Sequence, residues 1–312
     1  MNSASSPSIL HYGKAEPLPV RHHLQAGPLR LIYENGALRY LKLGQQEVVR
    51  MIYSAVRDHN WDTVAPRILH ETIEAGEQAF RVELEVEYRQ GDIHFRARYR
   101  IVGEETGKVR YEMAGEALSS FRKNRLGFCV LHPVTGYAGR PCTILEDGGG
   151  EVAGAFPEHI SPHQPFRDIR AMRWPVGEGA VATLRFEGDL FETEDQRNWT
   201  DASYKTYCTP LDRPFPVEVR QGEQISQAVE LTVEGELRQE KTGPAPGSAA
   251  VFRIDFSGAR RLPLLGVGRS SEVAELQEED VLKLRDLGFH HYRVEVRPDA
   301  PGWVGAFLQA EQ

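Results

Sequence analysis

Residues 80–101 read FRVELEVEYRQGDIHFRARYRI, and this stretch decides the fold of the first three-quarters of the chain. Apolar residues fill the even positions from 80 to 88, and arginine or glutamate fills the odd ones. After Gln90-Gly91-Asp92, apolar residues alternate with one histidine and three arginines as far as Ile101. A period of two with one apolar face is typical of a half-buried antiparallel strand. The stretch therefore predicts a β-hairpin whose acidic and basic strands form cross-strand ion pairs.

The same pattern of short strands separated by turn residues continues on both sides of this hairpin. Asn35-Gly36 predicts a second hairpin, because a type I′ turn needs positive φ at both central residues. Other strands are predicted at Leu29–Tyr33, Leu38–Leu41, Val109–Met113, Gly127–Leu131, Val181–Glu187, Val217–Arg220 and Ala228–Val233. No long helical pattern precedes residue 240. The fold class is therefore mainly β, an antiparallel, supersandwich-like β-sandwich.

The pattern changes after a stretch rich in proline, glycine and small residues, EKTGPAPGSA at 240–249, which predicts a linker. It separates a β-sandwich domain at 1–239 from an incomplete α/β domain at 250–312. In the second domain, strands at Leu264–Gly268 and His291–Val296 flank apolar residues at helical spacing from Val273 to Leu287. This order predicts a βαβ unit with parallel strands, as in the start of a TIM-barrel-like domain.

The helix of that unit has predicted ends. Ser271 is the expected N-cap, and Gly288 is the expected stop. A second helix is expected to begin near Pro301.

Composition narrows the classes of function. The formal net charge is -8 at pH 7, which argues against a nucleic-acid partner because phosphate binding needs clustered cations. The 3 cysteines have no CxxC spacing, so neither a disulfide framework nor a thiolate zinc site is expected. No apolar run suggests a signal peptide or a membrane span. We expect a cytoplasmic protein with no cofactor and no metal, and the sequence leaves its oligomeric state open.

The densest polar segment is FETEDQRNWTDASYKTY at 191–207. It places carboxylates, cations, an amide and aromatic rings side by side, which is the composition of a site that binds polyols. Its candidate residues are Glu192, Glu194, Asp195, Arg197, Asn198, Trp199, Asp201 and Lys205. A salt-bridged loop that packs one sheet edge is the structural alternative.

A second polar segment, FPEHISPHQPFRDIRAMRW at 156–174, contains two histidines four residues apart. Pro162 lies between His159 and His163 and disfavours the regular helix that a zinc pair would need. Asp168 is a candidate to orient His163 as a general base. The alternative is a rigid, proline-rich loop with exposed histidines.

Two smaller features complete the candidate site. His132 stands at the end of a predicted strand, where a sandwich often presents functional groups, although a buried structural histidine is the alternative. Asp58 and Trp61, with Arg57 and Asp62 beside them, are candidates for one wall of a site for sugars. No nucleophile elbow, P-loop or complete dinucleotide fingerprint is present.

Four of these segments together resemble the D-apionate lactonase family of bacterial sugar-acid catabolism. They are IYSAVRDHNWDT (52–63), LHPVTGYAGRPC (131–142), the segment at 156–174 and FEGDLFETEDQRNWTDASYKTYCTPL (186–211). The resemblance covers most of residues 15–312. It implies hydrolysis of a small-molecule sugar-acid lactone, D-apionolactone to D-apionate. It also implies a β-rich N-terminal domain, a TIM-barrel-like middle domain and a C-terminal β domain, of which this sequence ends within the second.

Lactone opening needs an activated water, stabilisation of an oxyanion and an acid for the leaving alkoxide. We assign His163 as base, oriented by Asp168, and Arg197 or Lys205 to the oxyanion. Glu192 and Asp195 would hold hydroxyls or supply the acid. Two alternatives stay open: a carbohydrate-binding or scaffold domain of a larger enzyme, and a glycoside hydrolase-like protein that uses two carboxylates.

Overall fold

The protein is described from a computed structural model, which covers residues 17–235 and, further on, 257–258, 260–261, 263–269, 276–296, 298 and 302–310. The predicted linker at 240–249 and the predicted N-cap Ser271 lie outside these described residues. The chain divides into two compact units near residue 241.

The first unit is built from 17 strands within residues 17–235, and every pairing among them is antiparallel. In chain order the strands are β1 (His22–Ala26), β2 (Leu29–Glu34), β3 (Ala37–Leu43), β4 (Gln46–Asp58), β5 (Pro66–Ala75), β6 (Phe80–Gln90), β7 (Ile93–Gly103), β8 (Val109–Ala117), β9 (Phe121–Pro133), β10 (Pro141–Glu146), β11 (Glu151–Ala155), β12 (Phe166–Val176), β13 (Ala180–Glu187), β14 (Phe191–Asp195), β15 (Ser203–Tyr207), β16 (Val217–Val219) and β17 (Gln224–Gly235).

Neighbouring strands run in the order β1-β2-β3-β4-β9-β15-β14-β12-β13-β17-β8-β7-β6-β5, with β16 beside β9, β10 beside β12 and β11 beside β10. The two halves of this series pack face to face around one apolar core. The ring centroids of Tyr111 and Phe128 lie 4.8 Å apart, and the Tyr99 hydroxyl donates to Ser54 Oγ at 3.0 Å. These contacts join β7 and β8 to β4 and β9. The predicted antiparallel β-sandwich is confirmed.

The deciding hairpin forms as its alternation predicts. Even positions of β6 from Phe80 to Tyr88 are buried, and Glu83 and Glu85 lie opposite Arg100 and Arg98 in β7. Arg96 reaches the carboxylate of Glu87, its direct partner, and that of Glu85, which is diagonal to it, at 3.6 Å in each case. The predicted cross-strand ion pairs are therefore present. Asn35 and Gly36 both have positive φ, as the second predicted hairpin requires.

The second unit contains a short parallel pair. Strand β18 (Gly266–Gly268) pairs with β19 (His291–Arg293), and helix α1 (Glu278–Asp286) lies between them in sequence. Helix α2 (Trp303–Ala310) follows, close to where a helix was predicted. Gly288 ends α1 with φ of 67°, as expected. Among the described residues of this unit, the TIM-barrel-like arrangement is not supported.

Helix α1 begins later than the sequence pattern predicts. Leu276 precedes the helix, although it was counted as a helical position. The backbone N–H of Gln277 donates to Asp280 Oδ2 at 3.2 Å, a contact that fixes the first turn at this point.

Candidate functional site

An open cavity of about 570 Å³ lies on the face formed by β4, β9, β15 and β14, and we call it the central groove. It is lined by Tyr53, Ala55, Arg57, Trp61, Thr63, Arg125, Gly127, Cys129, Glu194, Gln196, Trp199, Lys205, Tyr207, Cys208 and Leu211. Its lining combines cations, a carboxylate, phenols and indoles. This is the chemistry by which a site holds a small polyol.

A larger open cavity, of about 820 Å³, lies over the ion-pair face of β6, β7 and β8. Its charges largely neutralise one another. The Arg110 guanidinium contacts Glu112 and Glu187 at 2.8 Å each and Glu230 at 3.3 Å. No tryptophan is among the residues that line this larger cavity, whereas two indoles stand beside the charges of the central groove, so we take the central groove as the candidate site.

Strand register arranges the groove in rows across neighbouring strands. Lys205 of β15 pairs with Glu194 of β14 in the first row. Tyr53, Cys129 and Tyr207 follow one another across β4, β9 and β15 in the second. Arg57 and Arg125, which are directly opposite in β4 and β9, form the third. Because side chains alternate along a strand, each row faces the groove while the residues between face the core.

The first row is a close ion pair. Lys205 Nζ lies 2.6 Å from Glu194 Oε1, and both side chains keep about a fifth of their surface exposed, 23% and 19%. Gln196 Nε2 donates to the same carboxylate oxygen at 2.5 Å, and the ammonium of Lys205 stands 5.0 Å from the centre of the Tyr207 ring. The pair therefore presents a carboxylate and an ammonium together to a ligand in the groove.

Behind the second row, Glu192 is buried and accepts hydrogen bonds from the Tyr207 hydroxyl at 2.5 Å and the Leu211 N–H at 2.7 Å. Burial raises the pKa of Glu192. Burial, together with the Glu192 carboxyl, raises the pKa of Tyr207. Tyr207 therefore stays protonated in the neutral range, and its oxygen has lone pairs left to accept from a ligand hydroxyl.

Two tryptophans stand on the lining of the groove. Trp199 is 72% exposed and Trp61 is 37% exposed. Trp199 ends the 3-10 turn Gln196–Trp199, and Trp61 packs edge-on against Phe215 with centroids 5.1 Å apart. Exposed indoles beside polar groups can cover the CH faces of a sugar.

Asp195 and Arg197, both predicted as catalytic, instead form a structural clasp on the opposite face of β14. Asp195 is buried and binds the Arg197 guanidinium at 2.7 and 2.9 Å and the Ser161 N–H at 3.0 Å. Arg197 also donates to the carbonyl oxygens of Pro157, Glu158 and His159. Burial is the largest single influence and opposes ionisation of Asp195, but the Arg197 guanidinium and the N–H groups of Ser161 and Arg197 together outweigh it and lower the pKa of that carboxyl.

Asn198 belongs to the same clasp and not to the groove lining. Its Nδ2 donates to the Ser161 carbonyl oxygen at 2.6 Å and to the Asp195 carbonyl oxygen at 3.1 Å.

Two further predicted residues, Asp201 and Asp58, also lie outside the groove lining. Asp201 follows the 3-10 turn, is exposed, and donates its backbone N–H to the Gln196 carbonyl oxygen at 3.1 Å. Asp58 is buried and uses Oδ1 to accept from the N–H groups of Asn60 and Asp62. The side chains of Asn198 and Asp58 thus bind backbone groups of neighbouring loops, and not a ligand as we expected.

The predicted base and its partner are not brought together. His163 is exposed on the loop before β12, and its carbonyl oxygen accepts from Ser161 Oγ at 2.7 Å. Asp168 has φ of 49°, and its carboxylate pairs with Arg213 at 3.5 Å. The expected orientation of His163 by Asp168 is thus replaced by an exposed ion pair with a different residue.

His132 faces the core and is fully buried against Trp174 and Phe156, which contradicts its predicted contact with substrate. Its Nε2 shares a hydrogen bond of 2.9 Å with Thr206 Oγ1. Burial lowers the pKa of His132 to about 3.

We predict that His132 makes folding stability pH-dependent. In the folded state the His132 imidazole stays neutral above about pH 3, whereas in the unfolded chain it binds a proton below about pH 6.5. Stability is therefore full above pH 6.5 and falls as the pH drops towards 3, by about 1.4 kcal/mol per pH unit from this residue. Urea unfolding of wild type and His132→Gln between pH 7 and 4 measures it. Equal slopes in the two proteins would contradict the assignment.

Tyr53, Arg125 and Cys129 line the groove but were not singled out from the sequence. The signal that could have found them is alternation in β9, where Arg125, Gly127 and Cys129 share one face and the residues between are apolar. Within the described residues, no group of three or more histidine, cysteine, aspartate or glutamate side chains is placed to hold a metal ion. No helix in the described part of the chain is both long and apolar enough to cross a membrane.

Fold and groove define an antiparallel β-sandwich protein with a polar, aromatic-lined groove on one sheet face. Residues 9–236 match the model of the D-apionate lactonase N-terminal domain, and the chain belongs to this family. A curated relative from Brucella anthropi, named D-apionate lactonase, is 35% identical over 226 residues. That alignment spans 72% of this chain and 37% of the relative's length.

Two solved structures are similar to part of this chain at low identity. The Slr1438 protein from Synechocystis sp. PCC 6803 gives a TM-score of 0.47 at 11% identity, over 72% of this chain and 98% of that one. A galactose 1-epimerase from Lactobacillus acidophilus NCFM gives 0.45 at 8% identity, over 67% and 92%.

Proposed function

We propose that the protein hydrolyses a sugar-acid lactone, D-apionolactone to D-apionate, and that the central groove binds the lactone. Membership of the family and the relative from Brucella anthropi support the reaction. The match spans only 37% of the relative's length. That this chain has the activity for which the longer relative is named is therefore part of the proposal. The observation that carries the site is the Lys205–Glu194 pair, 2.6 Å apart in a groove lined by indoles and phenols.

Glu194 is the general base in this proposal. Its carboxylate removes a proton from a water molecule, which attacks the lactone carbonyl carbon and forms a tetrahedral oxyanion. The Lys205 ammonium, held beside that carboxylate, stabilises the developing negative charge. Collapse of the intermediate breaks the ring C–O bond, and the proton on Glu194 passes to the leaving alkoxide. One water is consumed and a hydroxy acid is formed.

Other groups of the groove position the ring. The Tyr207 hydroxyl donates its hydrogen bond to Glu192. Its oxygen is left to accept a hydrogen bond from a substrate hydroxyl. Trp61 and Trp199 cover the CH faces of the ring. The groove lining holds neither His163 nor Asp168, so Glu194 takes the role that the sequence pattern gave to His163.

The proposal is tested by a lactone-opening assay in which released acid is titrated at constant pH. We expect D-apionolactone to be opened by the protein, and to be opened faster than by buffer alone. Binding of the lactone without turnover would instead support the carbohydrate-binding alternative.

We predict that His163→Ala opens the lactone at a rate within a few-fold of wild type. The imidazole is exposed, and the groove lining does not include it. Loss of a general base costs about 10²–10⁴-fold, so the assay separates the two cases clearly. A loss of that size, with wild-type thermal stability, would restore His163 to the catalytic role.

A further inference from the structure

Two arginines stand directly opposite each other in the groove, which the fold alone does not explain. Arg57 of β4 and Arg125 of β9 are partners in the antiparallel register, and both line the central groove. Side chains at such positions have Cβ atoms about 5 Å apart, and like charges there destabilise a sheet. A pair of this kind is favoured where an anion sits between the two cations.

Neither guanidinium has a carboxylate partner within residues 17–235. Arg57 forms no hydrogen bond or ion pair there through its guanidinium, and its Nε is buried without a partner. Arg125 is only 6% exposed, and its two Nη atoms donate to the carbonyl oxygens of Asn124 and Pro210. The Nε of Arg125 is also buried and unpartnered, and burial lowers the pKa of this guanidinium.

The carboxylates whose charges act on Arg125 are engaged elsewhere. Glu192 binds Tyr207 and Leu211. Asp189 accepts from Thr209 Oγ1 and from the Leu190 N–H, both at 2.7 Å. The positive charge at this end of the groove is therefore left for a ligand.

Aromatic rings hold one guanidinium in place before any ligand arrives. The Cζ atom of Arg125 lies 5.2 Å from the centre of the Trp61 ring and 5.0 Å from that of Phe215. Because these two rings also pack against each other, with centroids 5.1 Å apart, the cation–π contacts come from one aromatic pair, which restricts the motion of the guanidinium and lowers the entropy that binding would cost.

We propose that Arg57 and Arg125 form an anion subsite that takes the carboxylate of a polyhydroxylated acid. Guanidinium groups match carboxylates because planar N–H donors face two oxygens. From Arg125 to Leu131, which is opposite Lys205, β9 extends about 20 Å. An open-chain acid therefore has room to place its carboxylate at the arginines and its hydroxyls towards Tyr207. The polyol part of this assignment rests on the proposed function, whereas the anion subsite does not.

Calorimetric titration of the 312-residue protein with D-gluconate, D-glucitol and inorganic phosphate at low salt tests the subsite. D-Glucitol carries the same hydroxyl chain without the carboxylate. We expect gluconate to bind at least tenfold more tightly than glucitol, and more tightly than phosphate. Equal affinities for gluconate and glucitol would overturn the subsite. Phosphate binding as tight as gluconate would overturn the assignment to a carboxylate.

The variant Arg57→Gln should lower gluconate affinity about tenfold and leave glucitol affinity unchanged, while Arg57→Lys should keep part of the gluconate preference. Because the Arg57 guanidinium has no partner to lose, the thermal midpoint of Arg57→Gln should equal or exceed that of wild type. Arg122→Gln, at an exposed position of β9, the strand that carries Arg125, is the control and should bind as wild type does. Unchanged gluconate affinity in Arg57→Gln would refute the proposal. A protein that binds gluconate in this way without opening lactones would leave the subsite standing and remove the proposed reaction.

Discussion

Replacing Glu194 by glutamine is expected to slow lactone opening about 10²–10⁴-fold, the usual cost of losing a general base. Glutamine keeps the size and shape of the side chain, and its carbonyl oxygen still accepts from Lys205 and Gln196. It cannot take a proton from water. The loss should therefore appear mainly in kcat, because the contacts that bind the ring remain in place.

The measurement is acid release at constant pH by wild type, Glu194→Gln and a control variant. Asp201→Asn is a matched control, because it removes one carboxylate from the same segment at an exposed position. We expect the control to keep wild-type activity. A rate for Glu194→Gln within a few-fold of wild type would exclude Glu194 as the base and move attention to Glu192.

The same ion pair predicts how Lys205 acts, since its ammonium is held 2.6 Å from the base. In the resting protein it pairs with the Glu194 carboxylate. In the proposed reaction, that carboxylate becomes neutral as the intermediate forms, and the ammonium is released to the oxyanion. One cation thus serves two successive charges without moving far, which is the preorganisation that electrostatic catalysis requires.

Strand alternation explains why the sequence predicted the β6–β7 hairpin well and β5 not at all. In β6 and β7 one face is buried and the other charged, so apolar and charged residues alternate along the sequence. Strand β5 (Pro66–Ala75) lies at the end of the strand order, and its residues are almost all exposed. Because such an edge strand buries little apolar surface, its sequence shows no alternation of apolar and polar residues from which a strand could be predicted.

The candidate site was predicted as a segment but not as a set of residues, for a related reason. The run at 191–207 does contain the Glu194–Lys205 pair of the groove. Alternation along β14 then sends Glu192 and Glu194 to one face and Asp195 to the other, and a count of polar residues cannot separate them. Arg125 and Tyr53 reach the groove only through pairing of β4 with β9, which joins residues far apart in sequence.

Replacing Arg197 by alanine is expected to lower the free energy of unfolding by about 3 kcal/mol. The change leaves the Asp195 carboxylate buried without its cation and removes the hydrogen bonds from the guanidinium to the carbonyl oxygens of Pro157, Glu158 and His159. Removing one partner of a buried pair costs about 3–5 kcal/mol, and the partial exposure of Arg197, 18% of its side chain, favours the lower end.

Urea unfolding of Arg197→Ala beside Arg213→Ala tests this expectation. Arg213 forms its 3.5 Å pair with Asp168 at the surface, where both side chains are about half exposed, so its loss should cost less than about 1 kcal/mol. Equal costs for the two variants would show that the clasp is no more than a surface ion pair. The double variant Asp195→Asn with Arg197→Ala should recover part of the loss, because the uncompensated charge is then gone. Since the clasp also holds the 3-10 turn that carries Trp199, Arg197→Ala should weaken sugar binding in the groove even under conditions where the protein remains folded.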